Sequence, residues 1–373
     1  MKKPENPFSI NAYHGKDYFC NRENDLRTLH DHIENDRNVV LFGWRRMGKS
    51  ALIHRFFEDL ESSGEYETLY VDFLATHSLE EALKTFTTSV YDRFGSTKKG
   101  ITSTIQNLLS SLGATLTFNP MSGTPEITLG IRRPERSEYT LNILGEFLRK
   151  RKKRVVLAID EFQQISSYQK QNAEAVFRTW AQLFPDIRII YCGSHRTMMA
   201  EMFSEKSRPF YHSAMLQTLD PIPLDNYVPF IQKHFESKKK KIEKELIEKI
   251  YSWARGQTYT VQLACNYLFS QYTIVKEENV ETVFDNILMQ YQAVFANFAK
   301  ILTINQWNVL KSISKEEPLN NPLSRDFIDK YQLGATSTVS SAIKALVRQE
   351  MVIIDEGAYL VHDVILARWM ARL

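Results

Sequence analysis

Residues 38–50 read NVVLFGWRRMGKS, and the spacing of Gly43, Gly48, Lys49 and Ser50 suits the holding of a nucleoside triphosphate. In that arrangement backbone N–H groups curl around the β-phosphate, Lys49 reaches the β and γ oxygens, and the Ser50 hydroxyl ligates Mg²⁺. Gly43 and Gly48 permit backbone angles and a close approach that a Cβ would block. Trp44, Met47 and Ala51 complete the same cradle. Arg45 and Arg46 lie inside it, where a guanidinium can touch phosphate, pair with an acidic neighbour or face a second subunit.

Two carboxylates extend this chemistry. The segment VVLAIDEF leaves an apolar run at Asp160 and Glu161, which puts both at the carboxyl end of a buried strand, where α/β sheets gather their ligands. Asp160 is expected to hold Mg²⁺ through water, and Glu161 to orient or deprotonate the attacking water. IRIIYCGSH ends in Gly193, Ser194 and His195. Ser194 is the candidate γ-phosphate sensor, with an ordinary turn residue as the alternative, and His195 reads as a loop histidine. Lys49, Glu161 and Ser194 are thus the catalytic candidates, with Ser50 and Asp160 for the metal. Near the start, FCNRENDL places Asn21 where it can turn left-handed or cap a helix whose first turn holds Arg22 and Glu23.

These residues need a parallel sheet to bring them together. The run Val39, Val40, Leu41, Phe42 reads as a strand feeding the glycine loop, and Leu52, Ile53, Phe56, Phe57 and Leu60 follow at helical spacing up to Gly64. A second buried strand, residues 67–74, precedes a capping box at Ser78 and Glu81 that opens a helix through Phe94. The alternation breaks between residues 100 and 136, where ATLTF and PEITLGI flank NPMSGT as an inserted β-hairpin, about 112–132. It resumes with a helix at LNILGEFLRKRKK, the Asp160 strand, a helix at NAEAVFRTWAQLF, the Ser194 strand and the shorter AMLQTLDPIPL.

From Asp225 the pattern turns helical, and the last part, from about 292, reads as three helices and two strands around Glu356-Gly357, a winged helix-turn-helix. The fold class is therefore α/β, with a P-loop parallel-sheet core (residues 1–220), a helical lid (221–290) and a C-terminal winged helix (291–373). The lysine run at 238–241 reads as a solvated helix start.

With 373 residues and average hydrophobic and charged fractions, the chain suits two or three folded domains and does not favour disorder. A net charge of +3 sets up no global field for nucleic acid or membrane, so any such binding must be local. Cys20, Cys192 and Cys265 are far apart and support neither a disulfide framework nor a zinc site. The first ten residues lack an apolar signal core, and no apolar run approaches the roughly 18 residues of a membrane span, so a cytoplasmic protein is expected.

Several segments together resemble the archaeal-type ATPases, grouped with the signal-transduction ATPases with numerous domains (STAND) near the AAA+ lineage. Phe19-Cys20-Asn21-Arg22-Glu23 is similar to the F-x-G-R-E box, with Asn21 in place of glycine, which implies that Asn21, Arg22 and Glu23 close over the adenine. GWRRMGKS resembles the G-x-R-R-x-G-K-[ST] loop, LAIDEFQ the Asp-Glu-Phe-Gln strand end and CGSHRTMM the sensor strand. Arg208 in SRPFYH falls where the family often has Gly-Arg. ARGQTYTVQLACNYL resembles the lid's G-G-x-P-x-Y segment, with Thr258 where proline is usual.

The resemblance implies ATP as the nucleotide and its binding and hydrolysis as a conformational switch; Mg²⁺ is the metal expected at Ser50 and Asp160, and an unidentified protein partner is expected. No guanine-reading motif competes with that choice. A DNA-associated AAA+-type ATPase, like replication initiators or transposition helpers, is the alternative, and a nucleotide-bound scaffold without turnover is a third. The expected recognition helix STVSSAIKALVRQE carries only Lys344 and Arg348 as cations, which weighs against DNA. An oligomer with an arginine supplied in trans stays open.

Overall fold

The structure, a computed structural model, describes residues 4–97, 100–101, 103–118, 125–128, 134–168 and 172–373. It divides into two compact units, one of Gly15–Asp220 and one that joins Met1–His14 to Pro221–Leu373.

The first unit contains α1 (Glu23–Glu34), β1 (Val39–Phe42), α2 (Lys49–Ser63), β2 (Tyr66–Asp72) and α3 (Leu79–Phe94), then two short strands, β3 (Ser96–Thr97) and β4 (Gly100–Ile101). It continues through α4 (Ser103–Ser111), β5 (Thr115–Phe118), β6 (Pro125–Thr128), α5 (Pro134–Arg149), β7 (Arg154–Asp160), α6 (Ala173–Leu183), β8 (Arg188–Gly193), α7 (Arg196–Ser204) and β9 (Met215–Thr218). Five of these strands form one parallel sheet in the order β2-β7-β8-β1-β9.

Alternate residues of these strands supply two separate cores, as a period of two requires when both faces are covered. Val40, Phe42, Val71, Leu157, Ile159 and Tyr191 pack with residues of α3, α5, α6 and α7. Val39, Leu41, Val156, Ala158, Ile190 and Cys192 pack with Leu29 and Ile33 of α1 and Leu52, Phe56 and Leu60 of α2. The strand order has one consequence for function. Because β8 lies between β1 and β7 and all run the same way, the tips bearing Gly43, Ser194 and Asp160 emerge at one edge of the sheet.

The expected hairpin is present as β5 paired antiparallel with β6, in a two-stranded sheet of its own. Its connecting NPMSGT lies outside the described residues, as do residues 129–133. The sequence pattern did not disclose α4 or the β3–β4 pair, and α5 opens at Pro134, seven residues ahead of the expected LNILGEFL start.

The second unit contains α8 (Leu224–Glu236), α9 (Lys244–Trp253), α10 (Thr258–Gln271), α11 (Glu277–Ala296), α12 (Phe298–Ile301), α13 (Ile304–Glu316), α14 (Arg325–Lys330), α15 (Thr336–Arg348), β10 (Val352–Asp355), β11 (Ala358–Val361) and α16 (Val364–Ala371). The last three helices before β10 and the antiparallel β10–β11 pair form the winged helix, with Glu356 and Gly357 both at positive φ in the tight turn, as a two-residue hairpin of right-handed strands prefers. The expected boundary at 290/291 falls inside the 20-residue α11.

The expected core of residues 1–220 also loses its first segment. The fully buried Phe8 ring packs against Phe235 and Phe269, and the Asn6 and Asn266 amides each donate across to a backbone carbonyl, so this stretch belongs with α8 and α10. Among the described residues no helix is long and apolar enough to cross a membrane. Within the lysine run, Lys240 Nζ donates to the Phe269 and Tyr272 carbonyls at 2.5 and 3.0 Å, closing the C-terminal end of α10, and the Lys241 backbone pairs with Thr273 and Val275.

Candidate nucleotide site

The loop between β1 and α2 turns through two left-handed residues, Arg46 at φ 65° and Gly48 at φ 92°. Gly43 is needed for a different reason, since a Cβ there would stand 2.7 Å from the Leu219 carbonyl oxygen. Gly48 is the N-cap of α2 and offers no side-chain cap, so the first amides of that helix face the loop as anion donors. Buried Lys49 folds back across the loop, its Nζ donating to the Gly43 and Trp44 carbonyls at 2.9 and 3.0 Å. Met47 is buried beneath the loop, whereas Arg45 and Arg46 are exposed upon it. The Arg196 guanidinium lies 5.3 Å from the Trp44 ring centre.

Asp160, a residue only 5% exposed, ends β7. Ser50 Oγ donates to Asp160 Oδ2 at 2.8 Å, the Tyr70 hydroxyl donates to the same oxygen, and the Glu161 amide donates to Oδ1 at 2.9 Å. Burial, reinforced by the charge of Asp160, pushes the Tyr70 phenol far above its ordinary range and keeps it a donor. Glu161 itself is left-handed at φ 51°. Its Oε2 accepts from Ser194 Oγ at 2.8 Å and from Gln163 Nε2. The structure therefore joins Ser50 to Asp160 and Ser194 to Glu161.

The donor set suits magnesium. Ser50 Oγ and the Asp160 carboxylate are hard oxygen ligands that already meet, and among the described residues no cluster of three or more His, Cys, Asp or Glu could form a cage. Mg²⁺ is commonly held by one or two such protein groups together with phosphate oxygens and water.

The N-terminal box meets the phosphate loop through Arg22. Arg22 is the N-cap of α1, in the left-handed region at φ 70°, and stands outside the first turn in which it was expected. Its guanidinium donates to the Asp220 carbonyl at 2.5 Å and to the Met47 carbonyl at 3.1 Å, and lies 3.5 Å from Asp25. Arg22 thus clamps the underside of the phosphate loop to the end of the sheet-bearing unit. Asn21 is left-handed at φ 51°, and Glu23 opens α1 from an exposed position. His195 accepts the Met198 amide at 3.3 Å and caps α7, while Arg208 grips Glu174 and Ser166. Sequence reasoning missed the contributions of Tyr70 and Gln163. The only signal for the second was its place in the Asp-Glu-Phe-Gln segment, and for the first there was none beyond a strand position.

The family model described as "ATPase domain predominantly from Archaea" matches residues 19–263, well over half of the chain and the whole of this site. The chain belongs to that family. For this family member, a second model, "Probable winged helix domain", matches residues 293–372. Among solved structures, a Walker-type ATPase of Pyrococcus abyssi is 16% identical, with 98% of this chain and 100% of that chain covered at a TM-score of 0.67. The ORC2 protein of Aeropyrum pernix, solved as ADPNP–ADP complexes, is 13% identical over 99% and 96% of the chains, with TM-score 0.63. The ORC1 protein of Aeropyrum pernix, solved in complex with DNA, is 12% identical over 96% and 94%, with TM-score 0.51. At these identities the likeness is one of fold. No curated protein matches the chain.

Proposed function

We propose that this ATPase-family protein binds ATP at the β1–α2 loop and hydrolyses it through Glu161, using the nucleotide state to reposition the unit that carries the winged helix. The observation that carries this reading is the placement of Glu161. Its carboxylate is held by Ser194 and Gln163 one residue beyond Asp160, at the sheet edge that also bears Lys49 and Ser50. Magnesium bound by Ser50 and Asp160 would supply charge neutralisation on the phosphates.

The chain's own groups divide the remaining work. Lys49 and the first amides of α2 bind and orient the phosphates, and Glu161 takes a proton from the attacking water. Ser194 links the two. While its hydroxyl donates to Glu161 Oε2 it occupies that oxygen, and turning that hydroxyl toward the γ-phosphate frees Oε2 to accept from the attacking water. Sensing the third phosphate and arming the base are then one movement. The output belongs to the helical unit, in a cytoplasmic protein that works on a protein partner.

A. pernix ORC1 was solved with DNA, which makes DNA the rival partner. The exposed stripe of α15 offers only Lys344 and Arg348 as cations, with Ser337 and Ser341 between them and the helix start, a thin set for phosphate contacts. Salt-dependent filter binding separates the readings: a steep fall of duplex affinity with log salt would favour DNA. The switch itself is tested by the distance between a spin label in each unit, recorded with a non-hydrolysable ATP analogue and with ADP. The proposal requires two different distance distributions, and superimposable distributions overturn it.

A further inference from the structure

We propose that Tyr70 is a positioning residue for the Mg²⁺–nucleotide complex, its hydroxyl holding Asp160 in the ligating orientation when the Ser50 hydroxyl turns to the metal. The inference rests on the assignment of Ser50 and Asp160 as the metal-binding pair.

The placement follows from strand register. β2 and β7 pair in parallel with Tyr70 opposite Ala158 and Asp72 opposite Asp160. Tyr70 and Ala158 share the face that packs on α2, so the phenol starts two residues behind the Asp160 carboxylate on the side from which Ser50 arrives. Two residues of strand amount to about 6.5 Å, a span a tyrosine side chain can cover along the strand direction. His54, one helical turn after Ser50 on α2, places its ring 4.7 Å from the Tyr70 ring and closes the phenol in from the helix side.

The hydrogen bonds show why a second donor matters. Asp160 Oδ2 receives both Ser50 Oγ and Tyr70 OH, while Oδ1 receives the Glu161 amide. A serine oxygen that ligates a metal is directed at the metal, and its donation to Oδ2 is reduced or lost. Tyr70 and the Glu161 amide then remain as the groups that fix the carboxylate, one on each oxygen. A phenylalanine at this position keeps the ring and its packing and removes only the donor.

Binding of a fluorescent ATP analogue, titrated in EDTA and across a range of MgCl₂, tests the inference. In Tyr70→Phe, affinity in EDTA should stay within about twofold of wild type, while the Mg²⁺ concentration for half-maximal enhancement should rise about 10- to 100-fold, as loss of a group that orients a metal ligand commonly does. A thermal melt without nucleotide checks that the variant is folded. Asp160→Asn should abolish most of the Mg²⁺ enhancement, and adding Tyr70→Phe to it should then change nothing further, since Tyr70 acts through that carboxylate. A folded Tyr70→Phe with wild-type Mg²⁺ dependence overturns the role of Tyr70 alone. A wild-type protein whose affinity ignores Mg²⁺ overturns the metal assignment and this inference with it.

Discussion

At Glu161 the backbone adopts a conformation that costs a non-glycine residue about 1–2 kcal/mol, and the return is a carboxylate turned onto Ser194 and Gln163. Single residues of this site divide by how openly the sequence states their chemistry. Lys49, Ser50, Asp160 and Glu161 stand in short linear patterns whose spacing is itself the chemistry, so their positions are legible from the order of residues alone. Arg22 was legible as a special residue but not as a clamp on the Met47 and Asp220 carbonyls, because its partners are 25 and 198 residues away. Tyr70 and Gln163 depend on register and rotamer, which no linear motif encodes. The prediction at this scale concerns Lys49. Lys49→Ala removes a charged donor and should weaken ATP binding by roughly 1.5–3 kcal/mol, about 10- to 150-fold, by isothermal titration calorimetry. Unchanged affinity would show that the loop amides suffice.

Among the elements, β8 does the most to assemble the site, because it separates the strands of the phosphate loop and of Asp160 and brings Ser194 between them. That order was not readable from the chain. Apolar runs announce β1, β2, β7 and β8 individually, but which strand lies beside which is settled by connections of about 20 to about 80 residues. The tip of β8 also shows how tightly its end is fitted. A Cβ on Gly193 would stand 2.4 Å from Gln163 Oε1 and 2.6 Å from Met199 Cγ and Sδ. Gly193→Ala should therefore destabilise the protein by about 1–3 kcal/mol in urea unfolding and, by displacing Gln163 from Glu161, slow turnover more than it weakens nucleotide binding. Equal losses in both would mean that Gln163 does not act through Glu161. Elsewhere α11 was missed as one helix spanning the expected lid boundary, since its apolar stripe continues through 290 without a stop signal.

For the molecule as a whole, the chain makes the helical unit from both its ends, so the sheet-bearing unit is an insertion between His14 and Pro221. Within the helical unit, the turn after α9 is tied to the winged helix by Arg255, which donates to Glu317 at 3.1 Å and to the Val361 carbonyl at 2.6 Å, and by Arg368, which donates to the Trp253 carbonyl at 2.9 Å. The Glu317 side chain is only 3% exposed, and burial raises its pKa against the opposing pull of Arg255. Arg255→Met should cost about 3–5 kcal/mol at neutral pH by leaving that carboxylate buried without its ion-pair partner. The sign of its pH dependence follows. With the folded pKa raised further above the unfolded one, the penalty is present at high pH and shrinks as pH falls toward the ordinary carboxylate range, which melting curves across pH would record. Such a tie joins the helices after α8 to the winged helix within one unit, the unit that the proposed switch would move. Whether the phosphate loop is an engine is decided by single-turnover ATP cleavage in wild type and Glu161→Gln. The account predicts a cleavage rate about 10²- to 10⁴-fold slower in the variant at unchanged ATP affinity, and equal rates in the two proteins would contradict it.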